Sequence, residues 1–564
     1  MKGWIDAAMP HLIVAPIVLP LIAAAVMLAL GERQRAARAV VNLVASFAVL
    51  AVAVALLVWV DGGGADGRIG VYLPANWPVP YGIALAVDRL SALMLALTGV
   101  LGVTSVLYAV ARWHRAGVHF HPLFQLQLMG LNGAFLTADL FNLFVFFEVM
   151  LAASYGLLLH GSGAARVRSG LHYIAINLVA SAVFLVGVAM LYGVTGTLNL
   201  ADMASKIDDV PIADRGLLHA GVAILAVAFL AKAAVWPLGF WLVPAYAAAS
   251  APAAALFAVM TKVGVYAVLR VSTLFFSGDG VMEALGADLL VAGGIATLAL
   301  GALGMLASQR LVRLAGASVA VSSGTMIAAV GFGSASLTAG ALYYLVSSTL
   351  ALSALYLLVE LCERVHDVDT DQPEPDVADA RLPFALEALE LPQGVNLDDE
   401  QRALVGRALP ATVAFLGLAY LACALVVAGL PPLSGFLGKL AMLSAALDPG
   451  GLAAAVRPSP RFAVWLFGAL LIASGLFATL ALARAGIHQF WTATDRPPPR
   501  LRIVECAAVA VLLVACAAMA AGADSAMRYA TDTARALHRP ALYVDAVMAA
   551  RTVAAPTPDP RAAR

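Results

Sequence analysis

The chain has 564 residues, 62% of them apolar and only 12% charged, with a formal net charge of zero. A soluble domain carries about a quarter of its residues as charge, so this composition, with a mean hydropathy of +0.91, excludes an ordinary soluble protein and predicts an all-α polytopic membrane protein in a lipid bilayer. The zero balance, without a long basic run or interleaved aromatic and basic residues, also sets nucleic acid aside as a partner.

A helix needs ~20 apolar residues to cross the hydrocarbon core, and fourteen such segments follow one another: 11–30, 39–60, 89–111, 121–138, 139–159, 169–194, 216–249, 252–275, 281–307, 312–333, 337–361, 410–447, 461–486 and 502–522. The first runs into Gly31-Glu32-Arg33 without a small-residue cleavage site and reads as a retained span rather than a signal peptide. The fourth and fifth are parted only at Ala138-Asp139. Arginines gather in alternate connections, at Arg33, Arg35 and Arg38, then Arg112 and Arg115, Arg166 and Arg168, Arg310 and Arg313, and Arg484 to Arg502. Those connections are expected to be cytoplasmic. The opposite set (61–88, 195–215, 276–283, 448–460) is richer in aspartate or sparse in charge, and both termini are expected on that external side.

Two spans are interrupted. The seventh contains Trp236-Pro237-Leu238-Gly239-Phe240 and the twelfth Gly429-Leu430-Pro431-Pro432-Leu433-Ser434-Gly435-Phe436. Proline inside a helix removes a hydrogen bond and clashes with the preceding turn, and the freed backbone is tolerated at membrane depth only where protein or water satisfies it. Pro237 and the Pro431-Pro432 pair therefore predict two broken helices. They lie five spans apart, an odd number, so equivalent segments cross in opposite directions, as in an inverted repeat. The expected organisation is three N-terminal helices (1–120), a first five-helix repeat (121–275), a second (281–486), and a last span with a tail (487–564). Within the second repeat, residues 362–409 form an acidic, proline-containing insertion expected to be a solvated cytoplasmic loop with a short helix near 383–391. The tail is expected to carry an interfacial helix near 525–549 and then a disordered Pro/Arg-rich end.

Four ionisable side chains stand deep in apolar spans, where a charge costs ~2.5–3.5 kcal/mol or more without a partner or water. Glu148 is about 14 Å beyond Asp139 at 1.5 Å per residue, with Asn142 as a candidate polar neighbour. Lys232 lies just before the first proline break, too far beyond Arg215 to snorkel comfortably. Lys262 is central between Pro252 and Arg270, with Thr261 beside it, and Lys439 follows the second break. A lysine whose carboxylate partner can move is a proton-binding switch. Ser322, Thr325, Ser347 and Ser348, together with Ser323, Tyr343 and Tyr344, are candidates to line a hydrated path or to serve as packing hydroxyls. His160, His172, His219 and His488, and the pair Asp88 and Arg89, sit at span ends and read as interfacial. The cysteines Cys362, Cys423, Cys506 and Cys516 have no CxxC spacing and read as packing residues, with no disulfide or metal site. No Walker loop, dinucleotide fingerprint, haem ligand pair or iron-sulfur pattern is present, so no cofactor is expected and the energy source must be an ion gradient or a partner.

From about Asp88 to Ala485 the sequence resembles the antiporter-like membrane subunits shared by Mrp-type multisubunit cation/proton antiporters and respiratory complex I. The resemblance rests on Lys232-Ala-Ala-Val-Trp-Pro-Leu-Gly-Phe-Trp-Leu-Val-Pro-Ala-Tyr and on Pro252 through Lys262-Val-Gly-Val-Tyr-Ala-Val-Leu-Arg270. The stretches Asp139-Leu-Phe-Asn-Leu-Phe-Val-Phe-Phe-Glu148-Val and Pro-Pro-Leu-Ser-Gly-Phe-Leu-Gly-Lys439 look most like the D-type subunits of the Mrp (also Pha or Sha) complexes. The resemblance implies that Glu148 and Lys232 couple in one half-channel, that Lys262 is a central relay, and that Lys439 guards a second half-channel. It also implies a bacterial inner membrane, partner subunits of an Mrp-type complex, and H+ and Na+ or K+ as the transported ions, without enzymatic chemistry. A proton-pumping subunit of a complex I-like or hydrogenase redox complex is the alternative. The chain departs from the wider family at Ser322, where histidine is common, and at Ser347 and Leu352, which replace a histidine and a lysine. Serine does not titrate near neutral pH, so transfer from Lys262 to Lys439 is expected to need water. The acidic insertion is also atypical and points to the Pha-like branch.

Overall fold

The computed structural model describes residues 2–31, 33–64, 66–113, 117, 119–161, 163–275, 281–367, 411–448, 461–490 and 501–552. The acidic insertion beyond Asp367, the connection at 449–460 and the Pro/Arg-rich end after residue 552 lie outside these residues. Among the described residues thirteen helical stretches, 251–275 counted as one, are long and apolar enough to cross a membrane. The N-terminal ones are α1 (Lys2–Ala29), α2 (Arg35–Asp61) and α3 (Arg89–Ala111). Next come α4 (Phe120–Leu136), α5 (Leu140–Leu159), α6 (Ala164–Thr195) and the short α7 (Leu200–Lys206). The fourth expected span is α4, a shorter helix of 17 residues packed between α1 and α5.

The weakly marked boundary between α4 and α5 is built by side chains. Residues 137–139 leave the helix, Asp139 caps α5 by accepting from Asn142 N at 2.8 Å, and the Asn142 side chain donates to Thr137 Oγ1 at 3.0 Å. Asn142 is thus a partner of the α4–α5 corner and not of Glu148.

The interrupted spans resolve into pieces. The seventh gives α8 (Arg215–Lys232) and α9 (Leu242–Ala248), and the twelfth, after α12 (Val281–Ala307), α13 (Leu311–Gly331) and α14 (Ala335–Asp367), gives α15 (Ala411–Ala428) and α16 (Ser434–Leu447). The eighth expected span is also divided, into α10 (Ala251–Phe257) and α11 (Met260–Phe275), a break with no proline to announce it. The chain then continues through α17 (Arg461–Phe490) and α18 (Ile503–Ala521). The tail forms two helices rather than one, α19 (Ala523–Leu537) and α20 (Pro540–Met548), because Pro540 opens the second helix where its missing N–H is harmless. Nor does α19 simply lie at an interface: it packs on α14 and α11 and buries Ala530, Thr533, Ala534 and Leu537.

Burial divides the helices into two groups. In the α10–α11 span the most apolar stretch is wholly buried and in α13 94% buried, against 28% in α2 and α18. The peripheral helices expose Val40, Val44, Leu178, Val179, Trp465 and Ile472, the surface expected to face lipid, and the polar side chains concentrate in the shielded centre. At one end of the bundle, β1 (Gly70–Tyr72) and β2 (Leu85–Val87) pair antiparallel, Gly70 opposite Val87 and Tyr72 opposite Leu85. Bridges from Leu85 to Thr137 and from Asp139 to Asn199 extend this stitching to the α4–α5 and α6–α7 connections.

Candidate functional site

The first broken helix is satisfied by protein groups. Ala234 turns the chain with a positive φ of 58°, the Trp241 indole donates to the Ala231 carbonyl at 3.2 Å, and Trp236 N donates to Thr297 Oγ1 at 2.9 Å. Lys232 is therefore the last helical residue of α8, at the end whose unpaired carbonyls favour a cation. The residue is 5% exposed; its ammonium donates to Ser181 Oγ on α6 at 3.1 Å and lies 4.9 Å from the centre of the Phe147 ring. Ser181 in turn donates to Glu148 Oε1 on α5. The carboxylate and the ammonium are thus joined through a hydroxyl contributed by a third helix.

Lys262 is fully buried in the first turn of α11, just past the break at 258–259, and its Nζ reaches Ser323 Oγ on α13 at 3.4 Å. The adjacent Thr261 hydroxyl is buried without a hydrogen-bond partner among the described residues. Gly264 fixes where this helix sits: a Cβ there would come within 2.5 Å of Ala233 N. Backbone meets backbone, and the helix bearing Lys262 is seated against the break that follows Lys232.

In the second broken helix Lys439 stands on the other side of the break from its counterpart. Gly429 turns the chain at φ +76°, and Lys439 Nζ donates at 3.1 Å to the carbonyl of Ala428, the last residue of α15. Gly475 on α17 faces both groups, since a Cβ there would lie 2.8 Å from the Ala428 oxygen and 3.4 Å from Lys439 Nζ.

Between Lys262 and Lys439 the four hydroxyl candidates divide. Ser322 and Ser348 bond to each other across α13 and α14 at 2.9 Å, and Ser322 is next to Ser323, which Lys262 reaches. A small cavity lined by Tyr344, Ser348, Leu352, Ser474 and Lys439 continues from there. Ser347 instead donates to Ser434 at 2.8 Å, at the start of α16, and Thr325 back-bonds to Val321 O at 2.8 Å within its own helix. Among the described residues no cluster of His, Cys, Asp and Glu is arranged to hold a metal ion.

Other residues escaped the sequence reading. Ser181 carried no signal beyond being a hydroxyl in an apolar helix. Asp88 and Arg89 are buried rather than interfacial, and Asp88 takes a two-point bond from Arg270 at 2.6 and 2.8 Å. At the opposite end of α3, Arg364 joins Glu360 at 2.5 Å and Glu505 at 2.8 Å, with the Trp113 indole donating to Glu360 at 2.8 Å.

Comparison with known proteins is consistent with this architecture. Residues 137–372 match the family described as NADH:quinone oxidoreductase/Mrp antiporter, transmembrane. A protein of Rhizobium meliloti (strain 1021), described as the D subunit of a probable K(+)/H(+) antiporter, is 49% identical over 98% of this chain and 99% of its own length. The D subunit of the Na(+)/H(+) antiporter of Alkalihalophilus pseudofirmus is 30% identical over 96% of this chain and 100% of its own length. In the solved Mrp complex of Dietzia sp. DQ12-45-1b, one chain superposes with a TM-score of 0.79 at 25% identity, covering 96% of this chain and 99% of that one. With this coverage end to end, the chain is a multi-pass membrane protein that belongs to the NADH:quinone oxidoreductase/Mrp antiporter family, among the antiporter D subunits.

Proposed function

We propose that this chain is an ion-carrying membrane subunit of a multisubunit monovalent cation/proton antiporter, exchanging H+ for Na+ or K+ together with partner subunits of an Mrp-type complex in a bacterial inner membrane. The observation that carries the reading is the Glu148–Ser181–Lys232 bridge at the end of a broken helix. A carboxylate that takes up a proton or cation loosens its hold on the lysine, and the lysine's affinity for its own proton falls with it. The proton then passes toward Lys262, across the Ser323 and Ser322–Ser348 hydroxyls, and through the cavity to Lys439. Residues 121–275 and 281–486 act as two inverted repeats around this path, with the termini on the external side. That orientation rests on the arginine bias of the alternate connections.

The test is exchange in membrane vesicles carrying the assembled complex. Glu148→Ala and Lys232→Ala are each expected to abolish exchange while leaving assembly intact. Wild-type exchange in both would overturn the reading.

A further inference from the structure

The cavity beside Lys439 is walled by the lysine and by side chains of α12, α13, α14, α15 and α17, among them Met305, Ser318, Ser348, Val427 and Ser474. The ammonium stands at this wall: it donates to Ala428 O, next to Val427, and faces Gly475, next to Ser474. A serine hydroxyl has a single proton to give and two lone pairs to offer. Ser474 gives its proton to Leu471 O at 2.7 Å, and Ser318 gives its own to Leu314 O at 2.9 Å, with Met305 Sδ 3.0 Å away. Ser348 Oγ lies 2.9 Å from Ser322 Oγ and 3.3 Å from Leu345 O, and the Tyr344 hydroxyl turns to Ser322 and Thr325. The serines therefore present lone pairs to the cavity, and Lys439 presents donors.

A volume of about 20 Å³ is room for a single water, which needs about two to four polar partners. Held in this wall, a water donates to two serine oxygens and keeps its own lone pairs for the ammonium. A bare cation in the same space would press against the ammonium in a wall that contains no carboxylate.

We propose that this cavity is the binding site of one water that serves as the immediate proton partner of Lys439, with Ser318 and Ser474 as the residues that orient it. The inference rests on the proposed role of Lys439 in the relay. A proton arriving across the Ser322–Ser348 bond passes to the water, and the water gives one of its own to the neutral Lys439 amine. The amine becomes an ammonium, the water remains water, and each serine keeps one proton. The reverse sequence unloads the lysine.

The experiment uses the assembled complex in vesicles and detects the water directly. Brief X-ray radiolysis converts a bound water to hydroxyl radical, which oxidises a side chain beside it, and the cavity carries its own reporter in Met305, a wall residue that is 1% exposed. Met326 and Met442, equally buried at 1% and 0%, lie outside the wall and serve as controls. Mass spectrometry is expected to find Met305 oxidised and both controls intact. Ser474→Val fills the cavity from α17 and Ser318→Val fills it from α13. Each is expected to abolish the labelling of Met305 and to slow exchange about tenfold, ~1.4 kcal/mol, with normal recovery of the complex. Ser474→Ala keeps the space and two serine oxygens, so labelling persists and exchange falls only about twofold. A loss that follows filling rather than removal of a hydroxyl separates a bound water from helix packing. Met305 unlabelled in the wild-type complex, or labelling lost in both valine variants while exchange stays normal, overturns the proposal. Those results leave the relay standing if Lys439→Ala abolishes exchange in the same membranes. If Lys439→Ala exchanges at the wild-type rate, the relay falls and the water's role with it.

Discussion

The two broken helices place a lysine beside the C-terminal end of a half-helix, yet they hold it differently. Lys232 belongs to the half-helix whose end it occupies and has Glu148 within reach through Ser181. Lys439 comes from the second half-helix and turns back to the end of the first, at Ala428 O. A helix C-terminus offers roughly half a negative charge that cannot be protonated away, whereas a carboxylate offers a full charge that can. The first site is therefore built to change its attraction for the lysine, and the second to keep it constant. On the proposed relay, coupling energy would enter at the first break, and the second would respond to charge arriving from its neighbours.

The sharpest way to break the comparison is Glu148→Gln, which leaves Ser181 an acceptor but removes the charge. Exchange in vesicles is expected to fall at least about a hundredfold, ~2.7 kcal/mol; near-normal exchange would mean that an uncharged acceptor suffices and that the two breaks work alike. Gly475→Leu attacks the other side by crowding Ala428 O and Lys439 Nζ. It should lower exchange about tenfold and the thermal stability of the complex by about 1–3 kcal/mol, and unchanged exchange would remove Lys439 from the path. Ser181→Ala leaves the two charges without their bridge and should cost about three- to tenfold, with Ser181→Thr restoring most of the rate. Failure of threonine to rescue would favour packing at that position over hydrogen bonding. The smallest effect is expected from Ser348→Ala, about two- to threefold, because water in the adjoining cavity can replace one hydroxyl.

Much of the architecture was legible because lipid imposes a coarse code. Long apolar runs gave the spans, and Pro237 and Pro431-Pro432 marked two breaks through chemistry that no neighbour can alter. The break at 258–259 was silent, since Ala258 and Val259 are ordinary helix residues and tertiary packing bends the chain there. Charges in apolar runs were equally conspicuous, so Glu148 and the three lysines stood out, but the hydroxyl that joins two of them did not. Serine is tolerated in any transmembrane helix, and only the approach of α6 to α5 and α8 makes Ser181 a bridge. Asp88 misled for a related reason: a charge at the start of a span usually meets water, but here Arg270, 182 residues away in sequence, closes over it.

Gly264 bears on what kind of machine the first half can be. With the α11 backbone seated on Ala233 so tightly that a methyl group would collide, any side chain at position 264 would push the two segments apart. The bare glycine thus sets how closely the segments bearing Lys232 and Lys262 approach. On the proposed relay, communication across so close a joint would be a matter of field and of water or hydroxyl protons reorienting.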